Sequence, residues 1–244
     1  REKLAALGYV GSFVDLAATT GQALANPRDK ISVFNELSRA REMGMTGGAD
    51  GAIAVILKII AREPDISEAH YALGDVCFRS GRFAEAIAHF RRSLDLKPDD
   101  TIAVLNIAHC HLRLGRADDA EEFLNDSLRK GFQDSQVYSL LGYIKLSQHR
   151  YEDAVSAYQQ SLSMNPDSAS AHNALGAAFF RLHDLARAER HFRLALSLNP
   201  ELANVNYNLA RMFEEKGMNE AAMEAYRQEL HLSPRHFQAC FNLA

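Results

Sequence analysis

The sequence has no tryptophan, only three cysteines and only six prolines in 244 residues. Cys77, Cys110 and Cys240 are odd in number and each falls within a predicted helix. Buried free thiols are therefore expected rather than a disulfide framework. No charge of one sign dominates: the net charge is −4, which argues against a nucleic-acid partner, because such a protein needs a basic stripe to displace counterions. No apolar run approaches the roughly 20 residues of a membrane span; the longest, Ala52 to Ile60, is interrupted by Lys58. There is no phosphate-binding loop, since Gly44 to Gly51 follows no strand and carries no lysine before a Ser or Thr. What remains is an ordinary folded composition, 47% apolar and 24% charged.

What is present is a period of 34 residues, running without slip from Ser67 to His236. Blocks begin at Ser67, Thr101, Ser135, Ala169 and Ala203. Their alignment puts Leu73, Ile107, Leu141, Leu175 and Leu209 in one column and Gly74, Ala108, Gly142, Gly176 and Ala210 in the next. A third column is alanine throughout (Ala86, Ala120, Ala154, Ala188, Ala222), and a fourth is large (Phe90, Leu124, Tyr158, Phe192, Tyr226). Pro98, Pro166, Pro200 and Pro234 nearly complete a fifth. Each block predicts two helices. In the first, a helix from about Ser67 to Ser80 ends on Gly81 in the left-handed conformation, and a second from Phe83 to Leu96 is stopped by Pro98. Gly115 and Gly217 repeat the Gly81 role. His149 and His183 stand there in the third and fourth blocks, so those turns are expected to be strained or differently shaped. The small residues at Gly74 and Ala86, and at their counterparts, are expected to let the paired helices approach closely.

This spacing resembles the tetratricopeptide repeat (TPR). The resemblance implies an all-α solenoid, a right-handed superhelix of antiparallel helix pairs without a single central core. The domain reading is five repeats at 67–100, 101–134, 135–168, 169–202 and 203–236. The first helix of a truncated sixth follows at 237–244, leaving Ala239, Cys240 and Leu243 without cover and exposing the end to self-association. Upstream, 27–66 reads as a degenerate capping repeat: Pro27 starts a helix to about Met43, a loop follows over Gly44 to Gly48, and Ala52, Ile56, Ile59 and Pro64 fit the second-helix columns. Residues 1–26 read as the end of a preceding domain and a linker. Because the chain begins at Arg1 and stops at Ala244, both ends are expected to be cuts in a longer protein, and no compartment is assigned.

A second resemblance lies at the N-terminus. Arg1-Glu2-Lys3-Leu4-Ala5-Ala6-Leu7-Gly8-Tyr9-Val10-Gly11 is similar to the closing segment of bacterial sulfatase-like hydrolases. Asn26-Pro27-Arg28-Asp29-Lys30-Ile31 is similar to the junction by which some of them pass into a TPR tail. It implies a hydrolase domain upstream of Arg1. It does not make this chain an enzyme, because the sulfatase nucleophile motif and the clustered Asp and His residues of its metal site do not occur here.

Chemistry-bearing groups are few. His109-Cys110-His111 is the densest set of possible metal ligands, but residues two apart on a helix point about 200° from each other. A zinc site needs i, i+3 or i+4 spacing, or a C-x2-C pair. No metal, cofactor or catalytic residue is assigned. His70 with His172, and His89 with His191, recur at the repeat period and read as structural. The TPR resemblance implies that ligands lie against the first helix of each repeat. The candidate groove residues, carried over by position, are Tyr71, Asp75 and Arg79; His109 and Arg113; Tyr143; Asn173 and Arg181; and Tyr207 and Arg211. Asn106 and Asn208 join them as amides able to hold an extended peptide backbone. Arg79, Arg113 and Arg181 read as solvated, and Phe78 and Phe180 as half-buried core. The lysine–asparagine clamp for a C-terminal carboxylate is missing, because Tyr71 and Asp75 occupy its places. The expected function is a non-catalytic scaffold binding a protein or peptide in its groove. The alternative is a hydrolase tail that packs on its own catalytic domain or self-associates.

Overall fold

The computed structural model describes residues 27–243, which form thirteen helices and, among the described residues, no strand. A first antiparallel pair is α1 (Pro27–Met45) with α2 (Ala49–Arg62). It is followed by α3 (Ser67–Arg79) with α4 (Phe83–Leu96), and by α5 (Thr101–Arg113) with α6 (Ala117–Arg129). Next come α7 (Ser135–Ser147) with α8 (Tyr151–Met164), and α9 (Ala169–Arg181) with α10 (Leu185–Leu198). The last pair, α11 (Val205–Glu215) with α12 (Asn219–Leu232), is covered by the single helix α13 (Phe237–Leu243). The architecture is the all-α solenoid expected. Residues 1–26, which carry the linker and most of the sulfatase-junction resemblance, lie outside the described residues.

The helices end where the sequence says they must. Gly81 has φ +79°, and the amides of Gly81 and Arg82 donate back to the carbonyls of Phe78 and Cys77 at 3.1 and 2.8 Å. Those two bonds satisfy carbonyls that the helix end leaves unpaired. The histidine turns are strained but not differently shaped: His149 and His183 have φ of 62° and 57°, and Arg150 and Asp184 close the same turn as Arg82. Each histidine also gains a local partner, His149 Nδ1 to the Tyr151 hydroxyl at 2.7 Å and His183 Nδ1 to Glu215 at 2.7 Å. At the N-terminal end the expected loop is shorter than its five residues suggested, because α1 continues through Gly44 to Met45.

There is no single core. Three consecutive clusters bury the apolar faces: one runs from Val33 to Cys110, the next from Val104 to Ala157, and the third from Ala154 to Ala239. The small-residue columns need a correction. The tightest neighbour of each glycine is the aromatic ring of its own pair, with the Ala188 carbonyl next at Gly176, 3.2 Å from where a Cβ would stand. A Cβ on Gly74 would stand 2.7 Å from the Phe90 ring, on Gly142 2.8 Å from Tyr158, and on Gly176 2.8 Å from Phe192. The alanine column is fully buried at Ala86, Ala120, Ala154 and Ala188. Cys77 and Cys110 are buried free thiols as expected, and burial pushes the Cys110 thiol up to about 11. Cys240 is exposed, which departs from the buried-thiol expectation and agrees with the expected lack of cover at the last helix.

The last pair departs from the period. Asn204 is left-handed, and α11 starts at Val205 with no side-chain cap from its own end. The cap comes from α12: the buried Glu229 carboxylate accepts from the amides of Asn204 at 3.0 Å and Tyr207 at 3.4 Å. A carboxylate at a helix N-terminus is favoured by the positive end of the dipole.

Candidate functional site

Successive first helices adjoin (α1 with α3, α5 with α7, α7 with α9, and α9 with α11), and their exposed sides line the groove. At its N-terminal end the Tyr71 ring lies tilted on Phe90, with centroids 5.4 Å apart, under the Arg41 guanidinium. The amide of Asn106 donates to the Tyr71 hydroxyl at 3.0 Å, crossing from α5 to α3. At the other end the Asn208 amide donates to Asn173 Oδ1 at 3.0 Å, crossing from α11 to α9. Tyr207 stacks near Tyr226 and, at 4.6 Å, against His236. These two asparagines therefore tie neighbouring helices together. Burial, opposed by the Asn106 bond, raises the Tyr71 hydroxyl above its ordinary pKa.

The arginines are exposed, and each also has a partner on the protein. Arg79 Nε donates to Asp75 at 3.0 Å. Arg113 lies over the Phe83 ring, 4.9 Å from its centroid, and Arg211 lies over Phe180 at 5.7 Å. Arg181 lies over Tyr151 and donates to its hydroxyl from Nε and Nη2 at 3.2 and 3.1 Å. Arg113, Arg181 and Arg211 each take an aromatic partner from a neighbouring pair, and a guanidinium stacked on a ring face gains from the ring quadrupole. Phe78 and Phe180 are half-buried against the core clusters, as expected.

The middle differs. Tyr143 is 56% exposed and, among the described residues, its hydroxyl has no hydrogen bond. Beside it opens a cavity of about 430 Å³ over Leu105 and Leu140, walled by His109, Ser139, Ser161 and Ser168. Its position is set by α7 and α8 on one side and the start of α9 on the other. Ser139 and Ser161 pair through their hydroxyls at 2.7 Å, and Ser168 caps α9 by accepting from the Ala171 amide at 3.3 Å. Desolvation lowers the His109 pKa below the usual imidazole value, although the ring reaches the solvent edge. The sequence reading had His109 and Tyr143 but missed Ser161, Asn165 and Ser168. Serine at Ser93, Ser127 and Ser161, one period apart, was the available signal.

His172 Nε2–H donates to the Pro166 carbonyl at 2.9 Å, which leaves Nδ1 to accept from His191 Nδ1–H at 3.1 Å. His70 likewise donates to Pro64 at 3.0 Å and stacks on His89. Both pairs are structural. Among the described residues, no group of three or more His, Cys, Asp or Glu side chains could hold a metal ion, and no helix is long and apolar enough to cross a membrane.

Paired helices stacked in register, with a groove along their first members, define a helical-repeat scaffold. Two tetratricopeptide repeat models match the chain, one over residues 78–142 and the other over 46–101, 140–203 and 178–237. The protein belongs to the tetratricopeptide repeat family. No curated protein matches the sequence. Among solved structures it resembles the APC/C hetero-tetramer Cut9–Hcn1 at TM-score 0.70 and 20% identity, over 86% of this chain and 42% of that one. It also resembles pilF of Pseudomonas aeruginosa, at TM-score 0.66 and 17% identity over 86% of this chain and 97% of that one. A third is YrrB, described as a TPR protein with an unusual peptide-binding site, at TM-score 0.59 and 17% identity over 76% of this chain and 96% of that one. At these identities the likeness carries the fold alone.

Proposed function

We propose that this chain is a non-catalytic interaction scaffold that takes an extended peptide or partner surface into the groove along its first helices. The repeat division at 67–236, with 27–66 as a capping pair, is part of that reading. One observation carries it: Tyr143, 56% exposed beside an open cavity in mid-groove, has the surface aromatic character that interface anchors share. The TPR family membership and the peptide-binding site named for YrrB support it. The test is a titration with peptides selected from a display library against the protein. Tyr143→Ala should weaken binding by more than about 1 kcal/mol, and Gln159→Ala, on the second-helix side, should leave it unchanged. Equal losses in both variants would place the ligand away from the groove.

A second reading, self-association, is favoured by α13. Its uncovered apolar residues are Phe237 and Phe241, each 82% exposed, rather than Ala239, which is buried, and such a face invites a second surface. A concentration-dependent sedimentation coefficient that Phe237→Ser with Phe241→Ser removes supports it; a monomer at every concentration rejects it. The hydrolase-tail version rests on residues 1–11 and 26–31 alone, upstream of the first residue matched by the repeat models, residue 46.

A further inference from the structure

We infer that the cavity beside Tyr143 is a selectivity pocket for an uncharged hydrogen-bonding side chain, an amide or an aliphatic hydroxyl, of a bound peptide. This rests on the groove reading above and narrows it to a ligand chemistry.

The inference comes from which polar groups of the groove are already used. At the N-terminal end Asn106 is bonded to Tyr71, and Asp75 to Arg79. At the C-terminal end Asn208 is bonded to Asn173, while Glu214 accepts from the Tyr226 hydroxyl and Glu215 meets His183. In mid-groove, by contrast, the side chains of Ser135, Gln136, Tyr143 and Asn165 line or rim the cavity and have no hydrogen-bond partner among the described residues. These groups offer donors and acceptors together, the complement of an amide or hydroxyl.

Charge points the same way. The lining carries no carboxylate, ammonium or guanidinium. The one carboxylate at the start of α7, on Asp134, is spent accepting from the Gln136 amide at 2.7 Å. Desolvation lowers the His109 pKa, which favours its neutral form. A charged ligand side chain entering here would lose water without gaining a counter-charge, whereas a neutral one exchanges its water hydrogen bonds for equivalent ones. The floor of Leu105 and Leu140 and the Tyr143 ring supply apolar contact for the aliphatic part of a Gln, Asn, Thr or Ser side chain.

The probe is a display library of random dodecapeptides selected against the wild-type protein and, separately, against Gln136→Lys. Gln136 is exposed at the first turn of α7, so the fold should be unaffected, which a thermal melt checks. Wild-type selection should enrich Gln, Asn, Ser or Thr at one position of peptides whose binding depends on Tyr143. Gln136→Lys should turn that position to Asp or Glu and weaken the wild-type peptides by about tenfold, since the new ammonium meets a neutral group. Binders that need Tyr143 but carry a charged residue at the fixed position, or an unchanged preference in Gln136→Lys, overturn the pocket assignment and leave the groove reading intact. Binders indifferent to Tyr143, or no binders at all, overturn both.

Discussion

The helix pairs α3–α4, α7–α8 and α9–α10 carry glycine where α5–α6 and α11–α12 carry alanine, and the two sets pack differently. In the glycine pairs the ring of Phe90, Tyr158 or Phe192 lies against the glycine backbone, and the two helices touch along more of their length than in the alanine pairs. In α5–α6 the facing residue is Leu124, smaller than a ring, opposite Ala108. In α11–α12 the ring of Tyr226 takes the Phe90 column and Ala210 the glycine column, and α11 has 11 residues where the first helices of the glycine pairs have 13. The missing methyl is what lets each ring lie on the helix backbone opposite, as expected in an interior packed near crystal density.

The largest effect should come from filling the closest approach. Gly142→Leu has nowhere to go, because its Cβ alone would stand 2.8 Å from a Tyr158 ring that is 3% exposed. A loss of more than about 3 kcal/mol is expected in urea unfolding, at or beyond the upper end of ordinary overpacking. Ala154→Leu, at a fully buried position of the same pair, should cost roughly 1–3 kcal/mol. If either variant melts like the wild type, the ring does not hold the pair as described.

The alanine pair α11–α12 has its own device in Glu229. Glu229→Ala leaves the amides of Asn204 and Tyr207 without the acceptor they use, a cost of about 1–3 kcal/mol. Protection of α11 amides should fall while that of α3 and α4 stays. The period alone could not reveal this cap. Glu229 sits in the column of Ser93, Ser127, Ser161 and Ala195, and nothing in the sequence says that a buried carboxylate there faces the start of α11 across the pair. The fold was legible because leucine, glycine and alanine recur at fixed spacing and each spacing has one packing solution. The groove was less so. Repeat position places Tyr71 and Tyr207 in one column and Tyr143 one helical turn further along the same helix face, but their fates depend on neighbours from other helices: Asn106 for the first, His236 and Tyr226 for the last, and none for Tyr143. The arginine partners were hidden for the same reason, since Phe83, Tyr151 and Phe180 meet them only after the pairs stack.

The smaller members of the glycine comparison can be tested by exchange. Gly142→Ala gains helix propensity, worth up to about 1 kcal/mol, but must push the Tyr158 ring aside, so a net loss of roughly 1 kcal/mol is expected. Ala108→Gly should also lose about 1 kcal/mol, through propensity alone. A stabilised Gly142→Ala would break the comparison, because the ring would then have room to move.

Acid should act on two of the glycine pairs and spare the third. Burial, with His172 and the nearby Arg190 and Arg187 adding to it, lowers the His191 pKa from 6.5 to about 4, and burial with His70 lowers that of His89. Between those values the unfolded chain binds a proton that folded His191 does not. Its contribution to stability is therefore present above pH 6.5 and declines as the pH falls toward 4. Hydrogen exchange between about pH 7 and pH 5 should show α3–α4 and α9–α10 losing protection before α7–α8, which has Tyr138 in place of the histidine. Uniform loss across the three pairs would assign acid sensitivity elsewhere.

The smallest effect on stability belongs beside the tightest contact. Tyr143 follows Gly142 directly, yet the helix turns its ring away from Tyr158's pair and into the groove, where it is 56% exposed. Removing an exposed ring should change stability by no more than about 0.5 kcal/mol. Tyr207, on the first helix two repeats further on, is half-buried against Tyr226 and His236, so Tyr207→Ala should cost about 1–3 kcal/mol in lost packing. Thermal melts of the two variants give the comparison directly. A Tyr143→Ala protein as destabilised as Tyr207→Ala would mean that the middle of the groove is held by its own side chains, like its ends, and has no surface aromatic left for a ligand.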